Sequence, residues 1–221
     1  MTVEECISDI NKITRLLIEF GLSDDQNFPS YNKQTGKLGI NTGEEVTTNI
    51  ALKNIDYNTI YKVLLEERNF NLRLADGALI QLYYDYDTTS KMLLKHKLAY
   101  FPSPTFTAYQ NDEELYIDDC IYADILKRNI LPVIVRFDYD PLEFKEILHP
   151  KCHLTLGQYD NCRLGVYNFL TPISFIEFVL KCFYGKFYES FFHEKDFLKN
   201  RAIECTLTQK EVKSLHLSIL N

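Results

Sequence analysis

Apolar side chains return every three or four residues along Val3–Phe20, where Ile7, Ile10, Ile13, Leu16, Leu17 and Phe20 make one stripe. That period predicts an amphipathic helix, and Gly21 is a fitting stop. The pattern then lapses. Ser23–Val46 is polar and holds Gly36, Gly39 and Gly43, which reads as a long connection or a loose hairpin and as the most mobile part of the chain. Helical spacing resumes over Asp56–Glu67, with Asp56 or Asn58 as the cap and Ile60, Val63 and Leu64 facing inward.

Alternation with period two takes over next. Phe70, Leu72 and Leu74 alternate with Asn71 and Arg73, Asp76-Gly77 predicts a type I′ turn, and Ala78–Tyr86 returns as the partner strand. Leu94–Phe101 predicts another strand, closed by Pro102-Ser103-Pro104, and a short helix is expected around Asp118–Leu126. Three further strands are read from Ile130–Asp140, Cys152–Leu156 and the stretch from Asn161 to Val166, with Gln158-Tyr159-Asp160 as the turn before the last. Thr171-Pro172 predicts the start of the longest helix, with Thr as cap and Pro at the first helical position. Its expected buried stripe is Phe175, Phe178, Val179, Cys182 and Phe183, and Thr208 to Glu211 has capping-box spacing. Helices at both ends of hairpin-linked strands predict an α+β fold with a largely antiparallel sheet, in a single domain spanning 1–221.

Composition narrows the classes. Hydrophobic residues make up 46% of 221, enough for a sizeable core. Lys+Arg of 24 against Asp+Glu of 31 leaves a net charge of −7, which argues against a dedicated non-specific DNA binder. A local basic patch on this acidic chain would draw on Lys95-His96-Lys97 and Arg163. The start MTVEECISDINKITRLLIEF lacks the basic leader and cleavage site of a signal peptide, and no apolar run has the length to span a bilayer. A cytoplasmic protein with no membrane association is expected, its six scattered cysteines reduced.

The densest chemistry lies between Arg136 and Arg163. On a strand, Arg136, Asp138 and Asp140 share one face at about 6.7 Å spacing. His153 and Thr155 share a face of the next strand, and Asn161, Arg163 and Gly165 a face of the third. Antiparallel pairing in chain order would gather them, whereas a one-residue slip would send His153 to the other side. Asp138 and Asp140 have the spacing to bind Mg or Mn, or else Asp140-Pro141 begins a turn and Asp138 pairs with Arg136 or Arg163. His149 and His153 suit general acid–base work on a phosphodiester, or else are a turn histidine and a packed strand histidine. A zinc set of Cys152, Cys162, His149 and His153 is disfavoured, because adjacent strand residues point to opposite faces. Cys152 and Cys162 read better as small core residues. His193-Glu194 lacks the second histidine of H-E-x-x-H, and there is no Walker loop, G-x-G-x-x-G or G-x-S-x-G. The stripe Phe175, Phe178, Phe183, Phe187 and Phe191 reads as core or partner-facing.

The run Arg136-Phe137-Asp138-Tyr139-Asp140-Pro141, with His149-Pro150, His153-Leu154-Thr155-Leu156-Gly157, Cys162-Arg163, Thr171-Pro172 and Phe175-Ile176-Glu177-Phe178, resembles a bacterial family catalogued as a domain of unknown function. The resemblance extends over most of the chain, including Tyr100–Pro104 and Phe183-Tyr184. It implies a link to genomic islands that carry phage-defence or toxin–antitoxin loci. Where some members continue Cys-Arg-Ile-Pro, this chain has Cys162-Arg163-Leu164-Gly165. Arg-Phe-Asp before a histidine-rich strand is also similar to small toxin-like proteins.

Two functions follow as expectations. One is a nuclease on RNA or single-stranded DNA, with Asp138 and Asp140 holding a metal, His153 (then His149) moving protons, and Arg163 stabilising phosphate charge. The other is a non-catalytic subunit docking on a protein partner from the same locus, for which the surplus of fifteen Tyr and fifteen Phe speaks.

Overall fold

A computed structural model describes residues 1–40, 55–105, 111–125, 133–159, 161–192 and 203–219. Helix α1 (Val3–Glu19) opens on a capping box in which Thr2 Oγ1 accepts the Glu5 N–H and the Glu5 carboxylate accepts the Thr2 N–H. It ends before Gly21, whose φ of +70° is the left-handed geometry that glycine adopts without strain.

The polar stretch that follows is built into the sheet as far as it is described, through β1 (Ser23–Gln26), β2 (Ser30–Tyr31) and β3 (Lys37–Gly39). Hydrophobic alternation could not reveal β1, because ion pairs hold its edge: Asp24 with Arg73 and Asp25 with Arg68, each at 2.8 Å. The rest of Ser23–Val46, from residue 41, lies outside the described residues, as do Leu126, Ile130 to Pro132, Asp160 and His193-Glu194.

Helix α2 (Tyr57–Glu66) is capped by Asp56. Strands β4 (Leu72–Leu74), β5 (Leu79–Tyr86) and β6 (Leu93–Phe101) then form a meander. The β4–β5 turn is not type I′, since only Gly77, and not Asp76, has positive φ. Leu74 N–H bonds Ala78 O across a three-residue loop, and Asp76 bonds the Ala78 and Ala123 amides instead of turning left-handed.

Helix α3 (Glu113–Asp118) lies earlier than the pattern predicts. Asp112 caps it, while Asp119 turns the chain out of it by accepting the Ile121 N–H. Next come β7 (Val135–Tyr139), a 3-10 turn (Pro141–Glu143), β8 (Cys152–Leu156) and β9 (Leu164–Val166). Helix α4 (Pro172–Phe183) has the expected Thr171 cap, but at 12 residues it is shorter than the 17 of α1. The chain breaks at Tyr184 and restarts as α5 (Gly185–Phe192). On α4, Phe175 and Val179 are buried as predicted, whereas Cys182 is exposed, so the stripe tilts toward Ile173, Ile176 and Leu180. The capping box at Thr208 opens α6 (Gln209–Val212), and β10 (His216–Leu217) follows.

The sheet runs β1-β4-β5-β6-β7-β8-β9-β10, with β3 on the far end of β5 and β2 beyond it. All pairings are antiparallel except β9–β10. The molecule is therefore α+β, a largely antiparallel sheet with N-terminal and C-terminal helices.

One sheet face carries Leu82, Tyr84, Leu98, Tyr100, Val135, Phe137 and Leu154 and buries them under α1 and α4. The opposite face is divided. Leu79, Ala99, Phe101 and Ile134 lie under Ile60 and Leu64 of α2. Beyond the reach of that short helix, the same face turns polar from Lys97 and Arg136 onward. An apolar helix stripe cannot cover charged side chains without stranding them, and α2 leaves this half of the sheet uncovered.

Candidate functional site

The register of the central strands assembles the polar groups. Lys97 lies opposite Asp138 and Ala99 opposite Arg136 across β6–β7. Arg136 lies opposite Thr155 and Asp138 opposite His153 across β7–β8, and His153 faces Gly165 across β8–β9. β7, β8 and β9 thus pair antiparallel in chain order. Asp138, Asp140, His149, His153, Thr155, Asn161 and Arg163 line one cleft of about 630 Å³, together with Lys95, Lys97, Arg136 and Tyr159.

The floor is an ion pair. Arg136 Nε donates to Asp138 Oδ2 at 2.8 Å, with side chains 10% and 14% exposed. The same oxygen stands 3.8 Å from His153 Nε2. The other histidine nitrogen, Nδ1, lies 3.1 Å from the Pro150 carbonyl, which has only lone pairs to offer. Nδ1 therefore carries the hydrogen, and the Nε2 lone pair turns toward the cleft floor. His153 is only 3% exposed, and burial lowers its pKa against the opposing pull of Asp138.

The wall is the β7–β8 connection. Asp140 begins the turn as its Pro neighbour predicts: Oδ1 accepts the Leu142 N–H and Oδ2 meets Lys95 Nζ at 2.5 Å. Lys145 and His149 exchange backbone hydrogen bonds around a tight loop. Ile147 in that loop has φ +70°, a costly geometry for a β-branched residue. The loop is held by Glu211, whose Oε1 accepts the Ile147 N–H at 3.0 Å and whose Oε2 accepts the Thr208 N–H at 2.9 Å. This seats the half-buried His149 edge-on to His153, ring centroids 4.8 Å apart. The His149 pKa is lowered, by burial first and then by the Arg163 charge. Arg163 and Asn161 precede β9 instead of lying in it, because Asn161 is left-handed at φ +59°. Arg163 Nη1 still donates to Asn161 Oδ1 at 3.2 Å, at the cleft mouth.

Some residues go elsewhere. His96 alternates onto the opposite face among Tyr84, Tyr139 and Phe169. Its Nε2 accepts the Leu170 N–H, and burial pushes its pKa down to about 4, so it is a neutral core histidine. Cys152 is buried on that face too, which separates it from His153 and takes apart the zinc set. Cys162 is half-buried in the cleft wall instead of the core, with its Sγ accepting the Leu156 N–H. Asp138 and Asp140 each hold a cationic side chain, and among the described residues no group of three His, Cys, Asp or Glu side chains is placed to hold a metal ion.

Lys95, Lys97 and Arg163 were legible in sequence as a basic patch. Tyr159 and Glu211 were not, since an exposed loop aromatic and a capping glutamate look alike whether or not a cleft is nearby. Burial lowers the Lys97 pKa, with Asp138 opposing.

These features define an α+β protein with a cationic, histidine-bearing cleft on the open half of its sheet. Among the described residues no helix is long and apolar enough to cross a membrane. Residues 22–219 match the family described as an uncharacterized conserved protein (DUF2290), and the chain belongs to that family. No curated protein and no solved structure matches it.

Proposed function

We propose that the cleft binds the phosphodiester backbone of a single-stranded nucleic acid and cleaves RNA there without a resident metal ion. The observation that carries this reading is local charge. Lys95, Lys97, Arg136 and Arg163 outnumber Asp138 and Asp140 in the cleft, on a chain of net charge −7. A cationic concavity in an anionic surface concentrates phosphate at one place.

The paired imidazoles supply the chemistry. His153 Nε2 takes the proton of a ribose 2′-hydroxyl, whose oxygen then bonds to phosphorus. The bond from phosphorus to the 5′ oxygen breaks, and His149 in its protonated form gives that oxygen a proton. The imidazolium formed at His153 is stabilised by Asp138 beside it. Arg163 and Lys97 meet the charge growing on the non-bridging oxygens. DNA, without a 2′-hydroxyl, is bound and not cut. The setting we propose is a phage-defence or toxin–antitoxin locus.

Labelled single-stranded RNA incubated with purified protein in EDTA should yield fragments ending in 2′,3′-cyclic phosphate. His149→Ala and His153→Ala should each lower the rate about 100- to 10,000-fold. Burial lowers the pKa of both imidazoles from the ordinary histidine value. The base must be neutral and the acid protonated, so kcat/KM should trace a bell whose maximum is displaced to the acid side of that for two ordinary histidines. RNA left intact in EDTA and also in Mg or Mn buffer would count decisively against cleavage.

One observation favours a second reading, docking on a protein partner from the same locus. Leu142, Ile147 and Leu148 stand exposed on the loop that carries His149. In that case the cleft residues only hold the loop in place, and the RNA assay is negative.

A further inference from the structure

Tyr159 is 74% exposed at the rim of the cleft. A tyrosine brings a large apolar ring, and nothing in the core requires this one to stand in water. Its position is set by the fold. Strand β8 stops at Gly157, which turns left-handed at φ +60° while its N–H bonds Ile134 O. The Cδ2–Cε2 edge of the ring rests there, and a Cβ placed on Gly157 would stand 3.5 Å from Cδ2. The residues Gln158 and Cys162 are tied down. Gln158 Nε2 donates to Ile55 O at 2.9 Å, and Cys162 Sγ accepts the Leu156 N–H at 3.4 Å. The ring is thus presented in advance, in the lining of the cleft that also holds the Arg163–Asn161 pair.

We infer that Tyr159 is the platform on which one unpaired base stacks when the neighbouring phosphate enters the cleft. This rests on the phosphodiester reading above and adds how the strand is selected. An aromatic face accepts any base, but a base within a duplex already spends both of its faces on its neighbours. The cations alone would hold single and double strands by the same backbone charge. With Tyr159 the protein discriminates for single strands without reading sequence.

The test is fluorescence anisotropy with a short labelled deoxyoligonucleotide, which is bound without being cut, its duplex, and an abasic strand of equal length. The wild-type protein should bind the base-bearing single strand most tightly. Tyr159→Ala should weaken that binding roughly 5- to 100-fold, the range of one base–aromatic stack, and leave the abasic strand unchanged. Tyr159→Phe should retain wild-type preference, because stacking needs the ring and not the hydroxyl. Arg163→Ala should weaken all strands alike. If Tyr159→Ala binds the base-bearing strand as well as wild type does, or loses as much on the abasic strand, the stacking role is overturned while the cleft reading stands. If the wild-type protein binds none of the strands, the phosphodiester reading itself falls.

Discussion

Asp138 faces two neighbours at once, Arg136 at 2.8 Å and His153 at 3.8 Å, and it does so nearly out of water. Removing its carboxylate leaves the Arg136 guanidinium buried without its anion, the costly way to break such a pair. Asp138→Ala should therefore lose about 3–5 kcal/mol in chemical denaturation, while the double change Arg136→Met with Asp138→Leu should recover most of it. A loss under about 1 kcal/mol for Asp138→Ala would mean that water already solvates the pair, and the floor would then not be structural. The alternative partner for Asp138, Arg163, was equally open from sequence. Alternation put all three residues on one side of their strands but carried no distance between strands. His96 shows the converse: next to two lysines it looked like part of the patch, and the strand's period of two sent it into the core.

At the scale of elements, caps and turns were read best where a side chain bonds its own local backbone. Asp56, Thr171 and Thr208 all cap the helices they precede. Reading failed where a distant partner intervened. Asp76 gave up the type I′ turn for a bond to Ala123, and β1 is paired to β4 with Arg68 and Arg73 reaching its acids. The same holds for Glu211, which completes a local capping box and also anchors the strained Ile147 turn. Glu211→Ala leaves the Thr208 and Ile147 amides without that acceptor, a cost of about 1–3 kcal/mol. It should also free the loop. Burial lowers the His149 pKa, so release should move its titration, followed by NMR, upward toward 6.5. An unchanged His149 titration in a folded Glu211→Ala protein would show that the loop holds itself.

The whole molecule sets a net charge of −7 against a cleft with two more cations than carboxylates. Long-range repulsion should slow the approach of a nucleic acid, and local attraction should hold it. If two phosphates are neutralised on a single strand, log K should fall with log salt at a slope of about −1.4. A slope near zero would mean that the bound molecule is not held by phosphate.

The sequence by itself determined the α+β class, most strand and helix cores, and the alternation that puts acids, histidines and arginines on defined strand faces. These follow from period and local capping, which act within a few residues. Only the tertiary structure decided that β6 lies beside β7, that α2 stops short of the polar half of the sheet, and that Glu211 of α6 anchors the loop that carries His149. Those are pairings between segments distant in the chain, and they rest on register and burial, which no short stretch of residues specifies alone.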